Sequence, residues 1–400
     1  MLSRDAYRQV VRHVVAAELS GGRGASFRET ERRLQSNEPL NGDLIQADSL
    51  EIVSAATAVN MFFRLHEAGG EDYLLRRLTM DAWAEVVAAS AVAGLSGVTF
   101  RSGGTTGAPK PIFQSMADLT VEAERLAELV GPTRRVLCLA PLHHIYGFLW
   151  GALIADCLSA ELIADSSAQD IVMRGAVPGG VASRDLIVAV PVQWGHVASA
   201  VSGLPAEATG VTSTAPADPV VIHALRRRGL GRMLELYGSS ETGGIGWRDA
   251  PEDPYRLLGH WTRLDADRLR HQSGRVAVLP DRVEWQGADR LLPIGRRDGA
   301  VQVGGTNVYP AQIRDRLRDH PAVADCAVRP TDTGSGLRLK AFVVLADEGG
   351  EADSDVPTAI RQWVREAFST AERPVSLTFG DHLPTNEIGK LADWPVDAAP

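Results

Sequence analysis

The densest set of residues able to do chemistry in this 400-residue chain is Ser102-Gly103-Gly104-Thr105-Thr106-Gly107-Ala108-Pro109-Lys110-Pro111. Glycines let backbone N–H groups approach an anion closely, the threonines add hydroxyl donors, and Lys110 adds a point charge. That set suits a polyphosphate. No Gly-Lys-Ser/Thr closes the loop, so its spacing is not Walker A. A plain surface turn has the same composition, and the residues downstream decide between the two readings. These are the adjacent pair His143-His144, the turn Tyr237-Gly238-Ser239-Ser240-Glu241-Thr242-Gly243-Gly244, and Lys390 beside Gly389. Neighbouring side chains on regular structure diverge, and no third ligand is near the histidines. A neutral site histidine or a structural one is expected, rather than a metal pair. Glu241 is either a turn residue or, beside a phosphate loop, a ligand for Mg²⁺, which takes one or two carboxylates along with phosphate oxygens.

The elements that must position these residues alternate. The run Gly97-Val98-Thr99-Phe100 before the glycine loop reads as a short buried strand. A helix capped by Asp118 is expected over 118–130, then strands over 136–140, 186–190 and 233–236, and a helix over 219–228 capped by Asp218. Alternating short apolar strands and helices imply a layered α/β domain with a largely parallel sheet. Before it, residues 4–18 pattern as an amphipathic helix with Tyr7, Val10, Val11, Val14 and Val15 on one face. After Gly295-Arg296-Arg297-Asp298-Gly299, strands over 300–303, 324–329, 339–345 and 375–379 and helices over 311–319 and 359–368 form a small α+β domain. The expected organisation is a helical N-terminal segment over 1–95, an α/β core domain over 96–297 and a small domain over 298–400.

Composition excludes several classes. The net charge is −9 and there is no basic tract, which argues against nucleic acid. Cys138, Cys157 and Cys326 show no metal or redox spacing. Cys138 and Cys326 lie in apolar runs and read as buried free thiols of a reducing, cytoplasmic setting. Residues 1–18 have no signal-like apolar region, and no apolar run is long enough for a membrane span.

The segment Leu44-Ile45-Gln46-Ala47-Asp48-Ser49-Leu50-Glu51 opens a helix with Asp48 or Ser49 as N-cap. With Phe62, Phe63 and Leu78-Thr79-Met80-Asp81 it resembles an acyl carrier protein, whose corresponding serine takes a phosphopantetheine arm. Two features depart from that pattern. Gln46 stands where glycine is common, and the helix over 52–65 is apolar nearly all round, where carriers show an acidic face. A helix of that kind is expected to be buried. A modified Ser49 and a plain helical subdomain both remain open.

Taken together, the motifs over about 97–390 resemble the adenylate-forming superfamily of acyl- and aryl-CoA synthetases, peptide-synthetase adenylation domains and luciferases. The resemblance implies ATP and Mg²⁺, and a large N-terminal domain joined to a small one by a hinge at Asp298. It places Gly104, Thr105, Thr106, Gly107 and Lys110 at the phosphates, with Gly103 where a serine is usual. It places His144 beside the substrate carboxylate, and Ala215, Pro216, Tyr237 and Gly238 around adenine. Ser240 stands for a phosphate-contacting threonine, and Glu241 for the Mg²⁺ ligand. Asp281 and Arg296 match the ribose contacts, although the flanks of Asp281 are changed. Gly304-Gly305 matches the thiol tunnel and Lys390 the catalytic lysine. Gln312 replaces a common glutamate. Thr105, His144, Glu241 and Lys390 are the implied catalytic group.

The implied reaction is attack of a carboxylate on the α-phosphate of ATP, then thiol attack on the acyl-adenylate. No protein nucleophile is needed, only cations and positioning. A non-catalytic adenylate-binding protein is the rival reading, and a P-loop ATPase is disfavoured by the missing Walker A spacing. Residues 145–150 contain no acid to pair a substrate ammonium, so an uncharged acyl chain is expected. The glutamate turn resembles small stand-alone ligases of aryl-polyene (xanthomonadin-like) pigment pathways, which load hydroxybenzoate-type acids onto carrier proteins. The expected acceptor is therefore an acyl carrier protein, with free coenzyme A as the alternative; Arg314, Arg316 and Arg318 on one helix and Arg361 and Arg365 on another are either its docking patch or plain solvated faces.

Overall fold

The computed structural model describes residues 2–101, 110–334, 336–346, 356–385 and 391–396. Helix α1 (Arg4–Arg23) is capped by Ser3, whose hydroxyl accepts the Ala6 N–H, and it ends at Gly24 in the left-handed region. Its expected apolar face is buried, and Leu19, also buried, carries the helix beyond the 4–18 pattern. Helix α2 (Phe27–Leu34) folds back on α1 through an Arg12–Glu31 ion pair of 2.7 Å, nearly enclosed on both sides. Helix α3 (Ser49–Phe63) begins at a capping box: Asp48 accepts the Glu51 N–H, and Glu51 accepts the Asp48 N–H. The expectation that this apolar helix is buried all round fails, because it packs on one side only, against α1, the turns at 65–67 and 71–76 and the strand over 97–101. Leu50, Val53 and Met61 stay exposed on the other side, Leu50 at 77%. Helix α4 (Met80–Ala93) is capped by Thr79.

Strands β1 (Gly97–Arg101) and β2 (Pro111–Ser115) form an antiparallel ribbon. Gly97 is required there, since a Cβ would lie 2.1 Å from the Gln114 carbonyl oxygen. Helix α5 (Met116–Val130) starts at Ser115, one turn before the expected cap. Asp118 does not cap it, because its carboxylate is taken by Arg275 at 3.1 Å.

Strands β3 (Arg135–Cys138), β4 (Glu161–Ile163), β5 (Asp185–Val188), β6 (Thr209–Thr212) and β7 (Arg232–Ser239) are parallel, in the order β7-β6-β5-β3-β4. They are short apolar runs enclosed by helices such as Ser166–Arg174, Pro191–Ala200 and Pro219–Arg227, as buried parallel strands must be. On the far side of β7 the sheet turns antiparallel through β8 (Gly243–Arg248) and β9 (Tyr255–Leu257). A separate antiparallel sheet holds β10 (Trp261–Arg263), β11 (Arg268–His271) and β12 (Val276–Val278). Strands β13 (Asp281–Gln286) and β14 (Arg290–Arg296) complete the nine-stranded sheet beyond β9.

The chain divides into two compact units. The first is built on Met1–Ser102, Pro111–Leu279 and Val283–Leu292; the second includes Pro280–Arg282 and Pro293–Pro400. The second unit carries a hairpin of β15 (Val301–Val303) and β16 (Thr306–Val308). Its two-residue turn is Gly304-Gly305, both at positive φ, which is what a tight hairpin asks of glycine. β16 has no counterpart in the sequence reading. Strand β17 (Val323–Asp332) pairs antiparallel with β18 (Leu337–Leu345), which pairs parallel with β19 (Ser376–Phe379). Ile313 and Leu317 from the helix Pro310–Arg318, and Ile360 and Val364 from the helix Val356–Ala367, close the core over these strands.

Candidate active site

In the first unit the candidate residues gather at one edge of the sheet. His144 follows β3, Ala215 and Pro216 follow β6, and Tyr237, Gly238, Ser240 and Glu241 lie at the end of β7. These are the carboxyl ends of parallel strands, where open α/β sheets place ligands. Buried side chains fix the loops. The Tyr146 hydroxyl donates to the carbonyls of Ala189 (3.1 Å) and Val211 (2.9 Å), tying the segment after β3 to the ends of β5 and β6. Glu235 of β7 is buried; it accepts the Ala217 N–H at 3.1 Å and the Tyr255 hydroxyl at 2.9 Å, and pairs with Arg248 at 2.7 Å. The Ser213 hydroxyl donates to the Leu236 carbonyl at 3.0 Å. Gly238 admits the Gly243 carbonyl oxygen, which a Cβ would meet at 2.2 Å.

His143 and His144 correct the expectation that adjacent side chains diverge. Their ring centroids are 4.3 Å apart, because the segment 141–144 is a turn and not regular structure. The Leu142 N–H donates to His13 Nδ1 at 2.9 Å, fixing that turn from α1. Burial lowers the pKa of all three rings, His13 to about 3 and His143 well below the usual value, so the cluster is neutral at physiological pH. His144 is the member of the three most open to solvent. Among the described residues no group of three or more His, Cys, Asp and Glu could hold a metal ion.

Glu241 is exposed at the turn between β7 and β8, and Ser240 is half-buried. Mg²⁺ takes hard oxygen ligands, completed by phosphate and water. A single open carboxylate beside a hydroxyl fits that chemistry and does not fit a site built from protein ligands alone. The second unit brings Asp281 and Arg296 together at 3.9 Å. Arg296 also pairs with Asp298 at 2.8 Å, and the Tyr309 hydroxyl donates to Asp298 at 3.1 Å. Hydrogen bonding from Arg296 holds the Asp298 carboxyl below its usual range. Lys110 is exposed. Gly104, Thr105, Thr106, Gly107 and Lys390 lie outside the described residues. The buried thiols Cys138 and Cys326 have pKa values pushed up by burial, to about 12 and about 11, so neither is a thiolate.

Sequence reasoning passed over Glu122, Arg275 and Tyr309. Glu122 had a signal: it falls on the same stripe of α5 as Leu119, Ala123 and Leu126, where a charged residue has no solvent.

An AMP-forming acid–thiol ligase is what this fold and these motifs define. The chain belongs to the AMP-binding enzyme family: residues 98–268 match the family's AMP-binding enzyme model, and residues 313–390 match that of the AMP-binding enzyme C-terminal domain. It is 39% identical to a protein named 4-coumarate–CoA ligase from Halorhodospira halophila, over 98% of this chain and 99% of that one. A protein of the same name from Rhodobacter capsulatus is 33% identical over 97% and 99%. Among solved structures, an o-succinylbenzoate CoA synthetase from Bacillus subtilis shares the fold with a TM-score of 0.57 at 21% identity, over 74% of this chain and 68% of that one. The amide bond synthetase of Marinactinospora thermotolerans has a TM-score of 0.54 at 21% identity, over 74% and 67%. The enzyme carries out ATP-dependent acid adenylation and thioester formation.

Proposed function

We propose that the acid is a compact hydroxyaryl acid and that the thiol is free coenzyme A. The observation that carries this reading is the end-to-end similarity, at 39% identity, to a protein named 4-coumarate–CoA ligase. The segment after His144 supports it, because Tyr146, Phe148, Leu149 and Trp150 are buried apolar groups with no acid among them to meet a substrate ammonium. The acyl carrier protein expected from the sequence is less well supported, because the two end-to-end relatives reported above are both named as CoA ligases.

In the first step a carboxylate oxygen bonds to the α-phosphorus of ATP and the bond to pyrophosphate breaks. In the second the thiol sulfur bonds to the acyl carbonyl carbon, AMP leaves, and the thiol proton is lost to solvent. Both reactants of the first step are anions, so catalysis is charge neutralisation and alignment. To Lys390 we assign the bridge between carboxylate and α-phosphate, and to Lys110, Thr105, Thr106, Gly104 and Gly107 the other phosphate oxygens. Neutral His144 offers an N–H to the carboxylate without adding an ionisable proton. Ala215, Pro216, Tyr237 and Gly238 face the adenine, and Asp281 and Arg296 take the ribose hydroxyls. Glu241, beside Ser240, would hold Mg²⁺, which when bound supplies positive charge at the phosphates.

A panel of 4-coumarate, 4-hydroxybenzoate, a medium-chain fatty acid and an amino acid, read by pyrophosphate release, tests the acid. Each acid is then offered coenzyme A or a holo carrier protein. The expected result is pyrophosphate with a hydroxyaryl acid and thioester with free coenzyme A. Thioester only on the carrier would reverse the acceptor assignment.

A further inference from the structure

The turn that carries Glu241 is held by its backbone to an unusual degree. Five consecutive carbonyls each accept from a side chain: Ser240 from Gln114 at 2.6 Å, Glu241 and Thr242 from Arg275 at 3.4 and 3.5 Å, Gly243 from the Thr242 hydroxyl at 2.9 Å, and Gly244 from Trp261 at 2.7 Å. The Gly244 N–H donates to Glu122 Oε1 at 2.7 Å. Glu122 comes from the buried face of α5 and is 4% exposed. One turn earlier on that helix, Asp118 pairs with Arg275 at 3.1 Å and lies 3.6 Å from His271. Through all of this the Glu241 side chain stays open to solvent.

We propose that Glu122, with Asp118 and Arg275 behind it, is a positioning residue: by gripping the backbone of residues 241–244 it aims the Glu241 carboxylate at a divalent cation bound with the nucleotide. The inference rests on the reading of Glu241 given above. Three sequence positions serve this one contact. A Cβ at Gly243 would lie 2.3 Å from one Glu122 oxygen, and a Cβ at Gly244 would lie 2.6 Å from the other, so only glycines let the carboxyl reach the chain. A leucine at 122 would satisfy the apolar face of α5, and burying a carboxyl there costs free energy unless it is used. Burial raises the Glu122 pKa to about 8, opposed by Arg275 and the Gly244 N–H and assisted by Asp118. At neutral pH the group is therefore an uncharged carboxyl, which glutamine imitates.

Mn²⁺ is the probe, its binding in the presence of ATP read by electron paramagnetic resonance, with ATP affinity in EDTA as the metal-free control. Glu122→Leu is expected to weaken Mn²⁺ binding by about tenfold or more, as loss of a group that orients a metal ligand does, and to leave metal-free ATP affinity unchanged. Glu122→Gln should recover most of the loss. In a Glu241→Gln background, Glu122→Leu should add nothing, because it acts through that carboxylate. If the two losses instead add, or metal-free ATP weakens equally, Glu122 only supports the fold and the inference falls. If Glu241→Gln alone leaves Mn²⁺ binding intact, the assignment of Glu241 fails first and takes the inference with it. Should Glu122→Leu not fold, Arg275→Gln tests the same grip from the half-exposed side and carries the same expectations.

Discussion

Lys390 and Asp281 are assigned to two parts of the same nucleotide, the reacting phosphate and the ribose, and the two assignments predict different kinetic losses. Lys390 is assigned to the first step alone, where two anions meet. Lys390→Ala should lower pyrophosphate release by about 10²–10³-fold, the scale of removing one preorganised charge at a reacting centre. Thioester formation from a preformed acyl-adenylate and coenzyme A should be nearly unaffected. Equal losses in both steps would remove the lysine from this role. Asp281 is nearly enclosed, 3.9 Å from Arg296, and is assigned to the ribose, far from the reacting atoms. Asp281→Asn should therefore raise KM for ATP by about tenfold, one charge-assisted hydrogen bond, with kcat little changed. A fall in kcat at saturating ATP would place Asp281 nearer the chemistry than this assignment allows.

Helix α3 shows how a functional signature can be made by a structural need. Its Asp48-Ser49-Leu50-Glu51 start resembles a carrier protein, yet Asp48 and Glu51 cap one another. Glu51 also accepts from Arg23 of α1, with oxygens at 2.5 and 2.6 Å, which lowers its pKa to about 2. The motif is accounted for by a cap that docks α3 on α1. Asp48→Ala should cost about 1 kcal/mol of stability, the usual worth of a cap, and Ser49→Ala should change neither stability nor turnover. Intact mass after treatment with a phosphopantetheinyl transferase and coenzyme A should show no added arm; an arm on Ser49 would restore the carrier reading. The same contrast governs what the sequence could reveal. The Asp48 and Asp218 caps, the glycine turns and the apolar strands β3, β5 and β7 depend on near neighbours and are legible, whereas β6 and the Ser115 start of α5 are not. The open face of α3, the Arg275–Asp118 pair across 157 residues and the Asp298–Tyr309 contact depend on packing partners, and nothing local announces them. For the candidate site, family resemblance singles out His144, Glu241, Asp281 and Arg296, but nothing in the sequence singles out the backbone grip behind Glu241.

At the scale of the whole molecule, the buried titratable groups of the first unit set opposing pH dependences. His13 and His260 are buried, with pKa values lowered to about 3 and about 4, and His143 and His271 are lowered as well, in each case mainly by burial. The unfolded chain takes up protons on these rings below about pH 6.5 and the folded one does not, so stability falls as the solution is acidified. Glu122 acts in the other direction. Its folded pKa of about 8 stands above the ordinary carboxylate value, so the folded state holds a proton that the unfolded chain has lost, and stability falls as pH rises towards 8. Glu31 and Asp156 are raised too, by burial, and act in the same direction, each between its ordinary value and its raised one. At about pH 6.5 the rings of the unfolded chain are half protonated and together still outweigh Glu122; about one pH unit higher they have finished titrating and Glu122 remains. Maximum stability is therefore expected near about pH 7. Between pH 6.5 and 8 Glu122 contributes a loss of up to about 2 kcal/mol, from about 1.4 kcal/mol per pH unit for one proton. Glu122→Gln cannot ionise and should flatten the curve over that window while leaving the acid limb in place. Urea unfolding of both proteins at pH 5.5, 6.5 and 8 measures it. Parallel curves for the two would mean that Glu122 is already ionised at neutral pH, and that its grip on Gly244 is that of a charged carboxylate.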